Sequence, residues 1–187
     1  VIGICNGFQV LTRTGLLPGA LGHNESGHFQ CEWVSLEAPT GRCIWTRGID
    51  PLDCPIAHGE GRYVHPDAAA LAAAGQVALR YAGRNPNGSV DAIAGVCDES
   101  GVVLGLMPHP ENHVIARQHP RRARGTAGGL GLQLFERGVQ HATRTLGVEF
   151  GAFGGLRDGF RHGDHRGEVI DFFGSFGVYQ TLGQFTL

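Results

Sequence analysis

Two short stretches of the 187-residue sequence hold the residue types of covalent acyl chemistry, and a third imitates one of them. Gly3-Ile4-Cys5-Asn6-Gly7 has the G-x-nucleophile-x-G form of a nucleophile elbow. A side chain held at a sharp strand-to-helix turn crowds the positions two residues away, so glycine at both is the least obstructive choice. A helix starting at Asn6 aims its N-terminus at the Cys5 thiol and favours the thiolate. The Asn6 N–H is then placed to donate to an oxyanion. The competing reading is a buried structural cysteine at a strand end, as most cysteines in such strands are.

A nucleophilic cysteine needs a base, and two histidine–acid pairs share one spacing: His58-Gly59-Glu60 and His109-Pro110-Glu111. In extended backbone, residues i and i+2 project to the same side, so either acid could orient its imidazole. The second pair has the stiffer backbone. Pro108 and Pro110 fix their own φ angles and push Met107 and His109 out of helix. That pair follows an apolar strand, a common place for active residues in open α/β sheets. Gly59 and Gly61 give the first pair a looser setting, suited to a tight turn or a close contact. For either pair alone a structural or surface histidine competes with a catalytic one. With Cys5, the His109–Glu111 pair completes a nucleophile, a base and its orienter.

The elements that must position these groups alternate in type. Val1–Ile4 reads as a short buried strand, followed by a helix from Asn6 to about Leu16 that Gly15 and Pro18 end. Residues 29–37, 43–46, 55–64 and 76–83 have strand composition. Between the last two lies an alanine-rich helix with Asp67 near its start and Gly75 as its stop. "RNPNGSV" is a turn, and "AIAGVC-DESG-VVLGLM" reads as a hairpin. A last helix spans roughly residues 130–146, with Gly147 as its stop. The mixture indicates an α/β domain of residues 1–147. Glycine and phenylalanine crowd into residues 148–187, which read as a C-terminal extension of unknown role.

Composition narrows the function classes. The net charge is −2 and 17% of residues are charged, which gives no electrostatic case for nucleic acid or an anionic membrane. No apolar run is long enough to cross a bilayer. The 5 cysteines contain no C-x-x-C pair and the 10 histidines show no ligand spacing, so no metal site and no disulfide framework is expected. A reducing cytoplasm is the economical setting.

The stretches "GICNGFQVLTRTGLLPGAL", "PIAHGEGRYV", "NPNGSVDAIAGVCDESGVVLGLMPHPE" and "GLGLQLFERGV" resemble, in order, the class I (triad) glutamine amidotransferases. "CNGFQ" and "AHGEGR" narrow the resemblance to the glutaminase subunits of phosphoribosylformylglycinamidine synthases. It implies a doubly wound, mostly parallel, flavodoxin-like sheet. In that family several strands and a glycine-rich oxyanion loop precede the elbow, so the resemblance also implies a domain lacking its first strands. It makes Cys5 the nucleophile, His109 the general base and acid, Glu111 its orienter and Gln9 a substrate-binding residue beside Asn6. It assigns His58 and Glu60 no catalytic step.

The implied reaction hydrolyses glutamine to glutamate and ammonia. The ammonia goes to a synthase subunit that makes formylglycinamidine ribonucleotide in purine biosynthesis, with a small accessory subunit. Nothing in the chain resembles a nucleotide-binding loop, so it is expected to carry no cofactor, with ATP and Mg on the synthase partner. Asn112-His113 stand where an arginine often follows the acid in relatives. Arg117, Arg121, Arg122 and Arg124 form a basic stretch suited to docking that partner or to a solvated loop. Two other readings stay open: a catalytically silent fragment that only binds a partner, and another cysteine hydrolase of the same fold.

Overall fold

The structure, a computed structural model, describes residues 1–39, 41–121 and 129–146. In chain order its elements are β1 (Ile2–Ile4), α1 (Asn6–Arg13), β2 (Ala20–Gly22), β3 (Gln30–Glu37), β4 (Leu52–His58) and β5 (Arg62–Val64). There follow α2 (Ala68–Ala73), β6 (Val77–Ala82), β7 (Ile93–Cys97), β8 (Leu104–Leu106) and α3 (Leu132–Leu146). Residues 148–187, Arg122 and Arg124 lie outside the described residues.

Six strands form one sheet in the order β1-β8-β7-β6-β3-β4, and β2 pairs with β5 apart from it. The α/β character stands, but the sheet is mixed rather than mostly parallel. Among the described strands β1 and β8 pair in parallel, whereas β8/β7, β7/β6, β6/β3 and β3/β4 are antiparallel. Short connections such as the Asp98–Gly101 turn between β7 and β8 can only reverse the chain, which forces antiparallel neighbours.

Both faces of this sheet are covered. One core cluster joins Leu36, Ile56, Leu79 and Leu104 to Leu134 of α3. The other joins Val77, Ile93 and Val96 to Phe8 and Leu11 of α1 and Leu71 of α2. Burial on two faces explains why β7 and β8 are apolar throughout rather than alternating. Asp67 caps α2 by accepting from Ala70 N at 2.8 Å, and Gly75 stops it at φ 68°.

Two local expectations need correction. The first helix ends at Arg13, not near Leu16, because Gly15 takes φ 75° and the Leu16 and Leu17 N–H groups fold back onto Leu11 O. Residues 43–46 form no strand. Their groups bond to loops instead, with Ile44 N donating to Gly101 O and Trp45 Nε1 to Val102 O. The Trp45 ring lies where a Cβ on Gly138 of α3 would fall, so this stretch is apolar because it supports the helix.

The elbow glycines are not equivalent. A Cβ on Gly3 would lie 2.8 Å from the Gly7 carbonyl and 2.5 Å from Leu11 Cδ1, whereas one on Gly7 meets nothing within 4 Å. Strand and helix therefore cross at Gly3, over the bare backbone of Gly7. We predict that Gly3→Ala costs about 1–3 kcal/mol as an overpacking change. Gly7→Ala should cost less, since its added methyl has room. Urea unfolding of the two variants checks the order, and equal losses would contradict the crossing.

Candidate active site

The two ends of the sheet converge at Cys5. The residue sits between β1 and α1 with φ 50° and ψ −105°, a left-handed conformation that is costly for a non-glycine residue. Its N–H donates to Leu106 O at 2.8 Å, continuing the parallel β1/β8 ladder, and its carbonyl accepts from Phe8 N and Gln9 N as α1 begins. The strain is thus held from both sides. Asn6, as the first residue of α1, keeps an N–H that the helix itself does not use, beside the thiol.

The outer edge of β4 brings the other groups to this turn. In an antiparallel strand, alternate residues turn both backbone polar groups to the same side. Asp53, Pro55 and Ala57 face away from β3, and their carbonyls take His113 Nδ1 at 2.6 Å, His109 N at 2.9 Å and the Cys5 thiol at 3.9 Å. Pro55 sits at the one kind of strand position where a missing N–H is harmless.

His109 Nδ1 is 2.6 Å from Glu111 Oε1, so the carboxylate fixes the ring and its tautomer. The pair forms through a 3-10 turn, Pro110–Asn112, rather than through extended backbone. Pro110 supplies the helical φ at the start of that turn. His109 Nε2 is buried and has no hydrogen-bond partner of good geometry. Burial alone would lower the His109 pKa, but the Cys5 and Glu111 side chains outweigh it and raise the value to about 10. At Cys54, beside the same pair, burial acts in the other sense and keeps the group neutral. Burial, with Glu111 and Asp53 adding to it, pushes its thiol well up.

The structure thus gathers Cys5, Asn6, His109 and Glu111, with Gln9 one helical turn along α1. It separates the look-alike pair. His58 is buried, with Nδ1 3.0 Å from Asn24 Oδ1, while Glu60 points to the surface near His23 at 3.7 Å. Burial lowers the His58 pKa to about 4, with the neighbouring His109 acting in the same direction. Glu60 contributes through its backbone, its carbonyl accepting from Gln9 Nε2 at 2.8 Å. A Cβ on Gly61 would overlap the His58 ring, which is the close contact its flanking glycines suggested.

Sequence reasoning missed Asn24, 2% exposed and bonded to His58, and the carbonyl rail of β4. Asn24 lies in the polar stretch "HNESGH", which looks like any surface loop, and no spacing marks it. Arg117 lies in a short 3-10 turn and Arg121 in the turn after it. Among the described residues no cluster of three His, Cys, Asp or Glu could hold a metal ion, and no helix is long and apolar enough to cross a membrane.

A family profile described as CobB/CobQ-like glutamine amidotransferase domain matches residues 1–142. Phosphoribosylformylglycinamidine synthase subunit PurQ of a Nostoc species is 55% identical over 117 residues, 59% of this chain and 52% of that protein. The subunit of the same name from Treponema denticola is 37% identical over 178 residues, 75% of this chain and 66% of the relative. Among solved structures, PurLQS from Thermotoga maritima superposes with a TM-score of 0.62 at 40% identity, over 75% of this chain and 61% of that one. The chain spans about half the length of the first of these relatives. On the profile match and these identities, the chain belongs to the glutamine amidotransferase family.

Proposed function

We propose that this chain carries the glutaminase half-reaction of a phosphoribosylformylglycinamidine synthase, with Cys5 as nucleophile, His109 as acid and base, and Glu111 as its orienter. The observation that supports the reading most is the meeting of three sequence-distant groups at one strained turn: Cys5 at φ 50°, and His109 tied to Glu111 at 2.6 Å with its other nitrogen unpartnered. A structural cysteine would need neither the left-handed backbone nor a raised histidine beside it. This weighs against the silent-fragment reading. The relatives named as PurQ weigh against another hydrolase of the same fold.

In the proposed reaction the Cys5 thiolate attacks the side-chain amide carbon of glutamine and forms a C–S bond. The oxyanion takes the Asn6 N–H. His109, held protonated by Cys5 and Glu111, gives its Nε2 proton to the departing nitrogen as the C–N bond breaks, releasing ammonia. The neutral imidazole then takes a proton from water, which hydrolyses the thioester to glutamate and frees Cys5. Gln9, with one Nε2 hydrogen given to Glu60 O, offers its Oε1 to the substrate as an acceptor. The ammonia goes to a synthase partner, with a small accessory subunit, and ATP and Mg act there. We place the working domain at residues 1–147, with 148–187 as an extension, and its setting in the cytoplasm.

The test is labelling with a diazoketone analogue of glutamine, read by peptide mass spectrometry over all five cysteines. Selective labelling at Cys5, prevented by glutamine, is expected. Uniform labelling, or none at Cys5, would overturn the reading. His109→Asn should slow Cys5 labelling by about a hundredfold or more.

A second prediction follows from the protonation of His109. Its folded-state value, about 10, lies above its ordinary 6.5, so the imidazolium stabilises the fold fully below pH 6.5. That contribution is lost as pH rises through about 10. The Tm advantage of wild type over His109→Asn should therefore shrink steadily between pH 6.5 and 10, the window set by those two values. Parallel melting curves across this range would contradict the assignment.

A further inference from the structure

Asn24 lies between β2 and β3, only 2% exposed, and every hydrogen-bonding group of its side chain is used. Nδ2 donates to His58 O at 2.8 Å and His28 O at 2.9 Å. Oδ1 accepts from Gly61 N at 3.1 Å and pairs with His58 Nδ1 at 3.0 Å. The Asn24 N–H donates to Gly59 O at 2.9 Å. All but one of these bonds reach the turn between β4 and β5. The depressed pKa of His58 agrees with the pairing, since a neutral ring with its proton on Nδ1 donates to an amide oxygen.

A second buried asparagine grips the same turn from the other side. Asn87 Nδ2 donates to Gly61 O at 2.8 Å and to the Tyr81 hydroxyl at 3.2 Å. Its Oδ1 accepts from Ser89 N and Ser89 Oγ, and Ser89 Oγ accepts from Tyr63 N at 2.9 Å. Backbone groups of residues 58 and 61 are thereby fixed by the two side-chain amides, and Gly59 O by the Asn24 backbone N–H. The intervening Glu60 carbonyl is left pointing out of the frame, 2.8 Å from Gln9 Nε2.

We infer that Asn24 is a positioning residue for Gln9: by freezing the 58–61 turn it aims the Glu60 carbonyl, which orients the Gln9 amide so that Oε1 faces the substrate beside Cys5. The inference rests on the glutaminase reading. Only an amide fits the post. Aspartate lacks both Nδ2 donors and buries a charge, serine cannot reach four partners, and alanine leaves Gly61 N and His58 Nδ1 without the partner they have here. The substrate contact is the part of the machinery that depends on this chain of bonds. The Cys5 backbone is held by β8, and the Cys5 thiol and the His109 backbone by the carbonyls of β4.

The experiment compares wild type, Asn24→Ala, Gln9→Ala and the double variant in diazoketone labelling of Cys5 with glutamine as competitor. A lowered folded fraction weakens the apparent protection constant by its own reciprocal, so each variant's constant is corrected by its folded fraction, read by circular dichroism. Asn24→Ala should weaken protection tenfold or more, with the maximal labelling rate within about threefold of wild type. The double variant should be no weaker than Gln9→Ala alone, the non-additivity expected when one residue acts through the other. If Asn24→Ala does not fold, Asn24→Asp, which keeps the acceptor contacts and loses the donors, gives the same comparison. Multiplying effects, or an unchanged protection constant beside a protected wild type, would overturn the role of Asn24 alone. A wild type whose Cys5 glutamine does not protect would remove the glutaminase reading and this inference with it.

Discussion

The outer edge of β4 is the constraint on which the site depends. The free edge of a sheet is usually a liability, a row of unpaired polar groups inviting another strand. Here alternate carbonyls at Asp53, Pro55 and Ala57 are taken by His113, by the backbone of His109 and by the Cys5 thiol. Because the carbonyls repeat at a fixed rise along the strand, the groups they hold acquire a fixed spacing. Asp53 N donates to Gly129 O, which ties the approach to α3 to the same edge. Curling the sheet until its last strand meets the residues after its first two is what turns a set of hairpins into a site.

The local half of this arrangement was legible in sequence. Strand, elbow, helix and the proline-flanked histidine are short-range features, and glycine and proline act on their nearest neighbours whatever the tertiary context. The non-local half was not. The pairing of Cys5 with Ala57 spans 52 positions and that of Asp53 with His113 spans 60, and no periodicity reports such distances. The misread stretch 43–46 belongs here too. Its β-branched and aromatic residues reflect burial beneath α3, and composition alone cannot tell a buried turn from a strand. Nor could it tell that the close approach needs glycine at Gly3, whose Cβ would meet the Gly7 backbone, while Gly7 has room for a side chain.

Polar residues in the interior follow the same division. Asn24, His58, Asn87 and Ser89 are buried, yet they form one continuous set of bonds around a single turn. Such networks cost heavily when half satisfied and specify one geometry when complete. Their placement next to Gln9, and not in the middle of the core under α3, fits a region where position matters more than packing energy.

The two histidine–acid motifs show how environment, and not motif, decides chemistry. Both read His-x-Glu, and each histidine follows an apolar strand. At His58 glycines let the chain turn sharply, the acid swings to the surface, and the ring is left with an amide oxygen as partner. Burial then wins and the ring stays neutral, near 4. At His109 the proline forces a tight 3-10 turn that returns Glu111 to the ring, and the thiol adds its pull, so the same side chain is driven up to about 10. The charge on His109 in turn helps keep His58 neutral. Two neighbouring imidazoles are thus pushed apart in protonation, one upward and one downward. Within the three-residue motif the difference in sequence is a single residue, Gly59 against Pro110.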